Sequence, residues 1–397
     1  MRPDDYVFTS ESVTEGHPDK LSDIISDAVV DAYLMQDPCS HVRAECAVAK
    51  GVLFIATRFA SQGTVDVADV ARRAITEVGY SGEEFSAKDT TVITSISEAP
   101  ADECDQRDER ELGPDALDTV LASSHATAFG YACRQTDSLM PLPICLAHRL
   151  ARQLTEVRRA RTPPYLCADG KTQVGVEFRD GRPARIHSVT LIAAVSPSGA
   201  PDARRVTDDL RQAVIEPVFV DEPVTLDEAT HIFVNPERQF LMGGPARHAG
   251  LTGRKNQVDT YGEFARQSGA ALSGKDPSRI DRSGAYAARY VAKNLVAAGL
   301  AEECEVQLSY SIGLPGAVSV HVRTFGSGRF DDTALGARTR EVFDFRVAAI
   351  LRDLDLRHQT LAHRGRFYQR LAAYGQMGRT DLDTPWERTD KVDLLRE

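Results

Sequence analysis

Leu21, Ile24, Ile25, Ala28 and Ala32 recur at helical spacing, with Asp23, Asp27 and Asp31 on the opposite stripe. A helix is therefore predicted from Leu21 to about Met35, with its acidic stripe in solvent. The segment before it, Tyr6 to Lys20, reads as polar and irregular, and Asp19 as an N-cap or a metal ligand beside His17. Glu45–Ala49 and Val52–Phe59 alternate or run apolar as strands joined at Lys50 and Gly51, and Arg58 interrupts the second. A helix over Val65–Val78 and a β-branched strand over Thr90–Ser97 follow.

Glu98–Asp118 is acidic and aperiodic, which predicts a mobile loop and a candidate lid. Ala122–Thr136 is rich in small residues and has no clear period. Leu142–Arg158 is an amphipathic helix, and Asp180-Gly181 turns Thr172–Phe178 into a long strand, Ala184–Val195. Helices are predicted over Asp202–Phe219, broken at Pro217, over Gly284–Ala298 and over Thr333–Arg352; strands are predicted over Thr230–Val234, Val306–Ile312 and Val318–Thr324. Strand pairs followed by helices occur three times, which favours α+β layers over a doubly wound sheet. Neither a GxGxxG nor a GxxxxGK[ST] pattern is present.

At 397 residues the chain has room for two or three domains, read here as 5–102, 117–232 and 233–392. A formal net charge of -11 argues against nucleic acid or an anionic membrane as the main partner. The seven cysteines are scattered with no C-x-x-C pair, so neither a disulfide framework nor a zinc-finger spacing is indicated. The N-terminus lacks a signal-peptide pattern, and no apolar run approaches a membrane span, so a cytoplasmic protein is expected.

Against that acidic background one basic stretch changes the picture. From Gly243 to Asp281, seven glycines are interspersed with Arg247, His248, Arg254, Lys255, Lys275 and Arg279, and the stretch ends on a carboxylate. Bends, close backbone approach, cations and one candidate metal ligand are what a polyphosphate site needs.

Six segments together resemble the S-adenosylmethionine synthetase family: FTSESVTEGHPDK from Phe8, FGYACRQTDSLMPLPICLAHRL from Phe129, DGKTQV from Asp169, GLTGRKNQVDTYG from Gly250, SGKDPSRIDRSGAYAARYVAKNLVAAGLA from Ser273, and PWERTDK from Pro385. The resemblance implies a three-domain α+β fold with pseudo-threefold symmetry, in a homodimer with active sites between subunits, a tetramer being the alternative assembly. It implies that methionine sulfur displaces triphosphate from C5′ of ATP, with Mg2+ and K+ as cofactors. It further implies roles by position. His17, Lys171 and Lys275 match catalytic phosphate-contacting residues; Asp169, Phe240, Arg254, Lys255, Ala271 and Arg279 match ATP-binding positions. Asp19 and Asp281 match magnesium ligands, and Glu45 matches the glutamate linked to potassium.

The methionine half departs from the family's pattern. Its ammonium-binding glutamate aligns with Arg58 and its loop glutamine with Ala99; the aspartate and glutamine of its GAGDQG segment become Ser124 and His125, and the GD pair of GGPxGDxGLTGRK becomes Arg247 and His248. The cationic replacements would favour an anion, and like charges would oppose a methionine ammonium. Three readings follow: an adenosyltransferase with a different, anionic nucleophile, an ordinary synthetase with a rebuilt methionine pocket, and a non-catalytic ATP-binding subunit. The first is the leading expectation from sequence.

Overall fold

The computed structural model describes residues 5–82, 85–100, 107–196, 199–236 and 243–397. Three sheets carry the molecule, each backed by helices. In chain order β1 (Asp5–Val13) leads into α1 (Pro18–Leu34); β2 (His41–Ala49), β3 (Val52–Ala60), α2 (Val67–Val78) and β4 (Thr91–Glu98) follow. Then come β5 (Ala126–Cys133), α3 (Leu142–Arg159), β6 (Leu166–Arg179), β7 (Arg182–Val195), α4 (Ala203–Leu210), α5 (Glu216–Phe219) and β8 (His231–Val234). The last third brings β9 (Gly250–Leu251), α6 (Asn256–Asp259), α7 (Ile280–Ala297), β10 (Glu303–Tyr310), β11 (Ser319–Arg323), α8 (Asp332–Val342) and α9 (Val347–Asp353).

The sheets have strand orders β4-β3-β2-β9, β1-β6-β7-β8 and β11-β10-β5. Each borrows a strand from a distant part of the chain, so β1 pairs with β6, β5 with β10 and β9 with β2. The mixed sheets and helices agree with the expected three-domain α+β fold. Within the described residues, no helix is long and apolar enough to cross a membrane.

Several expectations are corrected. The segment from Tyr6 is not irregular up to the helix: residues 5–13 form β1, whose inward Ser10 and Ser12 break the apolar alternation that would have revealed it. The small-residue run contains β5, because α7 crosses it closely; a Cβ on Gly130 would stand 2.0 Å from the Ala288 carbonyl. The described part of the acidic loop is anchored rather than mobile, with Leu117 buried and Glu109 in a buried bidentate pair with Arg357 at 2.7 and 2.8 Å. The helix expected over Thr333–Arg352 is two helices, α8 and α9. Pro217 does not break its helix: a π turn at Arg211–Ile215 precedes it, and the Ala213 carbonyl, four residues before the proline, accepts from Gln153 Nε2 at 2.9 Å.

The largest correction concerns α1. Its acidic stripe is buried, not solvated: Asp23, Asp27 and Asp31 are at most 1% exposed. Asp23 pairs with buried Lys20 at 2.9 Å, and Lys20 also binds Asp259. Asp27 pairs with Arg282 at 2.8 Å, while Asp31 accepts from Thr360 Oγ1 and from the backbone N–H groups of Tyr368 and Gln369. Buried charges persist only when paired and hydrogen-bonded, and here the partners come from α1 itself, from α7 and from the C-terminal segment.

Candidate active site

The acidic stripe positions the basic stretch. Asp23 Oδ1 accepts the Gly253 N–H at 2.8 Å, Asp27 Oδ1 accepts the Gly274 N–H at 2.8 Å, and Asp19 Oδ1 accepts the Leu251 N–H at 3.1 Å. Gly250 lets the stretch come this close, since a Cβ there would stand 2.1 Å from the Pro18 carbonyl. Arg254, Lys255 and Lys275 thereby emerge from three anchored turns. Ala271 packs under Gly253, where a Cβ would stand 2.4 Å from its own.

The residues singled out from sequence fall into two groups. The first surrounds the start of α1. His17 is its N-cap, with Nδ1 accepting the Asp19 N–H at 3.2 Å, so the neutral ring carries its proton on Nε2. Burial lowers its pKa from 6.5 to about 4, although Asp169 and Asp19 oppose the shift, and the ring is neutral at physiological pH. Arg254 Nη1 stands 3.6 Å and Lys255 Nζ 3.9 Å from the Asp19 carboxylate. Asp169, on β6, accepts the Gly244 N–H at 2.7 Å and meets His248 Nε2 at 2.9 Å. Burial pushes the Asp169 carboxyl up, but the hydrogen bond from His248, the field of His17 and the Gly244 N–H outweigh it and hold it below the usual range. Lys171 is exposed two residues along the same strand, and Arg247 is exposed beside His248.

The second group gathers around the start of α7. Lys275 Nζ lies 3.3 Å from Asp281 Oδ2, which also accepts from Ser124 Oγ at 3.4 Å. Burial lowers the Lys275 pKa against the opposing pull of Asp281. Arg279 caps α7 and donates to Ser123 Oγ at 3.1 Å. Arg43 bridges to Lys275 and lies opposite Arg58 in the β2–β3 ladder, on the outward face. Ala99 is buried and its N–H donates to Phe59; His125 Nδ1 accepts from the Ile312 N–H at 3.3 Å. Phe240 lies outside the described residues. A cleft of about 1900 Å³, lined by Tyr6, Phe8, His148 and Tyr374 among others, contains none of these residues.

Three positioning residues escaped the sequence reading: Asp23, Asp27 and Arg282. The four-residue repeat of aspartates was visible, but only its partners, Lys20, Arg282 on α7 and the C-terminal segment, turn it from a solvated face into a bracket.

Asp19 and Asp281 offer hard oxygen donors beside Arg254, Lys255 and Lys275, which fits Mg2+. Glu45, the residue matched to potassium, lies on β2. Strand alternation turns it to the outward face, with a side chain 55% exposed and Oε1 held by Arg43 at 2.6 Å, while the inward neighbour is the buried thiol of Cys46.

Fold and site together define a three-sheet α+β protein with a bracketed cationic stretch suited to polyphosphate. Residues 5–101, 119–240 and 242–388 match the N-terminal, central and C-terminal domains of S-adenosylmethionine synthetase. The chain is 48% identical over 410 residues to the S-adenosylmethionine synthase of Trichormus variabilis, covering 99% of this chain and 96% of that one. It is 47% identical over 406 residues to that of Synechococcus elongatus, covering 99% and 97%. The chain belongs to the S-adenosylmethionine synthetase family.

Proposed function

We propose that the chain is a methionine adenosyltransferase making S-adenosylmethionine from ATP and methionine. One observation carries this reading: nearly the whole chain matches proteins named S-adenosylmethionine synthase at 45–48% identity. Sequence alone placed a different, anionic acceptor first, and that reading rests only on the replacements at Arg58, Ala99, Ser124, His125, Arg247 and His248. The relatives favour methionine.

In the proposed reaction the thioether sulfur of methionine forms a bond to C5′ of ATP as the C5′–O bond breaks and triphosphate departs. Lys171, Arg254, Lys255, Lys275 and Arg279 hold the phosphates and meet the charge that develops on the leaving oxygen. His17 presents its Nε2–H to a phosphate oxygen, a role its cap at Nδ1 and its burial both favour. Bound at Asp19 and Asp281, Mg2+ would neutralise the leaving group further. A subunit that only binds would not require this complete set.

The lost methionine contacts have a physical replacement. Glu45 stands on the same outward face as Arg58, opposite Ala56 and next to Arg43, which faces Arg58. That face thus offers both signs of charge to a zwitterion: Glu45 for the ammonium, Arg58 for the carboxylate. The outward face also exposes Val52, Phe54, Ile93 and Leu251. An apolar sheet face of this kind fits a homodimer in which each site joins the His17 group of one subunit to the Lys275 group of its partner.

The test is a panel of acceptors incubated with purified protein, ATP and Mg2+, read by mass spectrometry. Adenosylated methionine as the dominant product is expected. Adenosylation of an anionic nucleophile in preference to methionine would overturn the proposal in favour of the altered-acceptor reading, and no adenosylated product at all would favour the non-catalytic one.

A further inference from the structure

The family's pattern has an aspartate where this chain has His248, and the substitution creates a donor set of a new kind. One ligand atom each from His17, Asp169 and His248 lies within 4.8 Å of the other two. The ring centroids of His17 and His248 are 5.1 Å apart. Asp169 is 7% exposed, and only its Oδ2 is used, by the Gly244 N–H and His248; Oδ1 is buried with no hydrogen-bond partner. A buried carboxylate with one oxygen lacking a donor, beside two imidazoles, is an arrangement that a bound cation would complete.

We propose that His17, Asp169 and His248 form a binding site for a divalent transition metal of the zinc class, occupied when ATP is absent. Two imidazoles and one carboxylate select a borderline cation over Mg2+, which prefers oxygen donors and keeps its waters. Three protein ligands leave a fourth position open. His248 is the ligand that makes the site, because the family's aspartate at that position would leave a single imidazole.

Occupancy has a defined cost and consequence. The proton that His17 carries on Nε2 moves to Nδ1 when Nε2 takes a metal, giving up the helix cap, with the Asp19 carboxylate, 3.9 Å from Nδ1, as the acceptor for the relocated proton; His248 likewise gives up the Nε2–H it donates to Asp169, its proton moving to Nδ1. The same Nε2 cannot donate to a phosphate oxygen and bind a cation at once. A metal here therefore competes with ATP, and the site acts as a brake on the nucleotide half.

The experiment is a titration of the metal-free, nucleotide-free protein with Co2+, followed by visible absorption and by calorimetry. The expected result is one Co2+ per chain with the d–d bands of a low-coordinate nitrogen and oxygen site, and at least tenfold weaker binding in His248→Gln and in His248→Asp. Circular dichroism establishes that both variants are folded, and if His248→Gln is not, His248→Asp alone decides. Binding unchanged in a folded variant, or a thiolate-to-cobalt charge-transfer band assigning the metal to the cysteines, would overturn the proposal. ATP is expected to weaken the binding, and Co2+ affinity unaffected by saturating ATP would likewise overturn it. None of these readouts depends on adenosyl transfer, so failure here and failure of the proposed activity are distinguishable.

Discussion

The Asp27 carboxylate receives both terminal nitrogens of Arg282, at 2.9 and 2.8 Å, where neither side chain is exposed. Arg282 Nη1 also donates to the Lys275 carbonyl at 2.7 Å, and Asp27 holds the Gly274 N–H, so this pair fixes the backbone on which Lys275 sits. Removing one partner strands the other charge in the interior. Asp27→Ala is predicted to cost about 3–5 kcal/mol of stability, measured by denaturant unfolding. A loss within experimental error of zero would show that the bracket is not what holds the stretch.

Glu45 and Arg58 divide the acceptor's charges in the proposed reading. Glu45→Gln keeps the shape and removes the negative charge, so the KM for methionine should rise on the order of tenfold, or about 1.4 kcal/mol. The KM for ATP should stay unchanged. An equal rise in both would indicate that Glu45 supports the fold or the interface rather than the acceptor.

If each site joins two subunits, two inactive variants should complement each other. His17→Ala and Lys275→Ala are each predicted to be inactive alone. Unfolded and refolded together, they should recover about a quarter of wild-type activity, because half of the dimers are mixed and each mixed dimer holds one intact site. No recovery from well-folded mixed dimers would place both groups in one chain's site.

The buried His17 ring carries a pH signature. Its folded pKa, about 4, lies below the ordinary 6.5, so between these values the unfolded chain binds the extra proton. The associated stability is fully present above 6.5 and is lost as pH falls through about 4. NMR titration should find this ring neutral throughout the physiological range, and His17→Asn should flatten the stability curve between those two values. A His17 resonance titrating near 6.5 would contradict its burial.

How much of this was legible in the sequence depended on what each residue touches. Helix α3 and strands β3 and β7 were readable because their apolar positions reflect burial on one side, and the largely exposed β4 because of its β-branched residues. Strand β1 was hidden by inward serines and β5 by glycine and alanines that make room for α7. The basic residues of the 243–281 stretch stood out from their glycine-rich setting. The burial of Asp23, Asp27 and Asp31 was not, since it depends on partners up to several hundred residues away. Glu45 could be matched to a role by position, but only strand parity reveals that it faces outward with Arg58.

The central claim is that methionine is the acceptor. Phosphorus NMR combined with mass spectrometry, on purified protein with ATP, Mg2+ and methionine and an Asp19→Ala control, tests it most directly. The account predicts S-adenosylmethionine together with equal amounts of phosphate and diphosphate, and none of these from the control. ATP bound but unconverted with methionine, and triphosphate released only when an anionic acceptor is added, would contradict it.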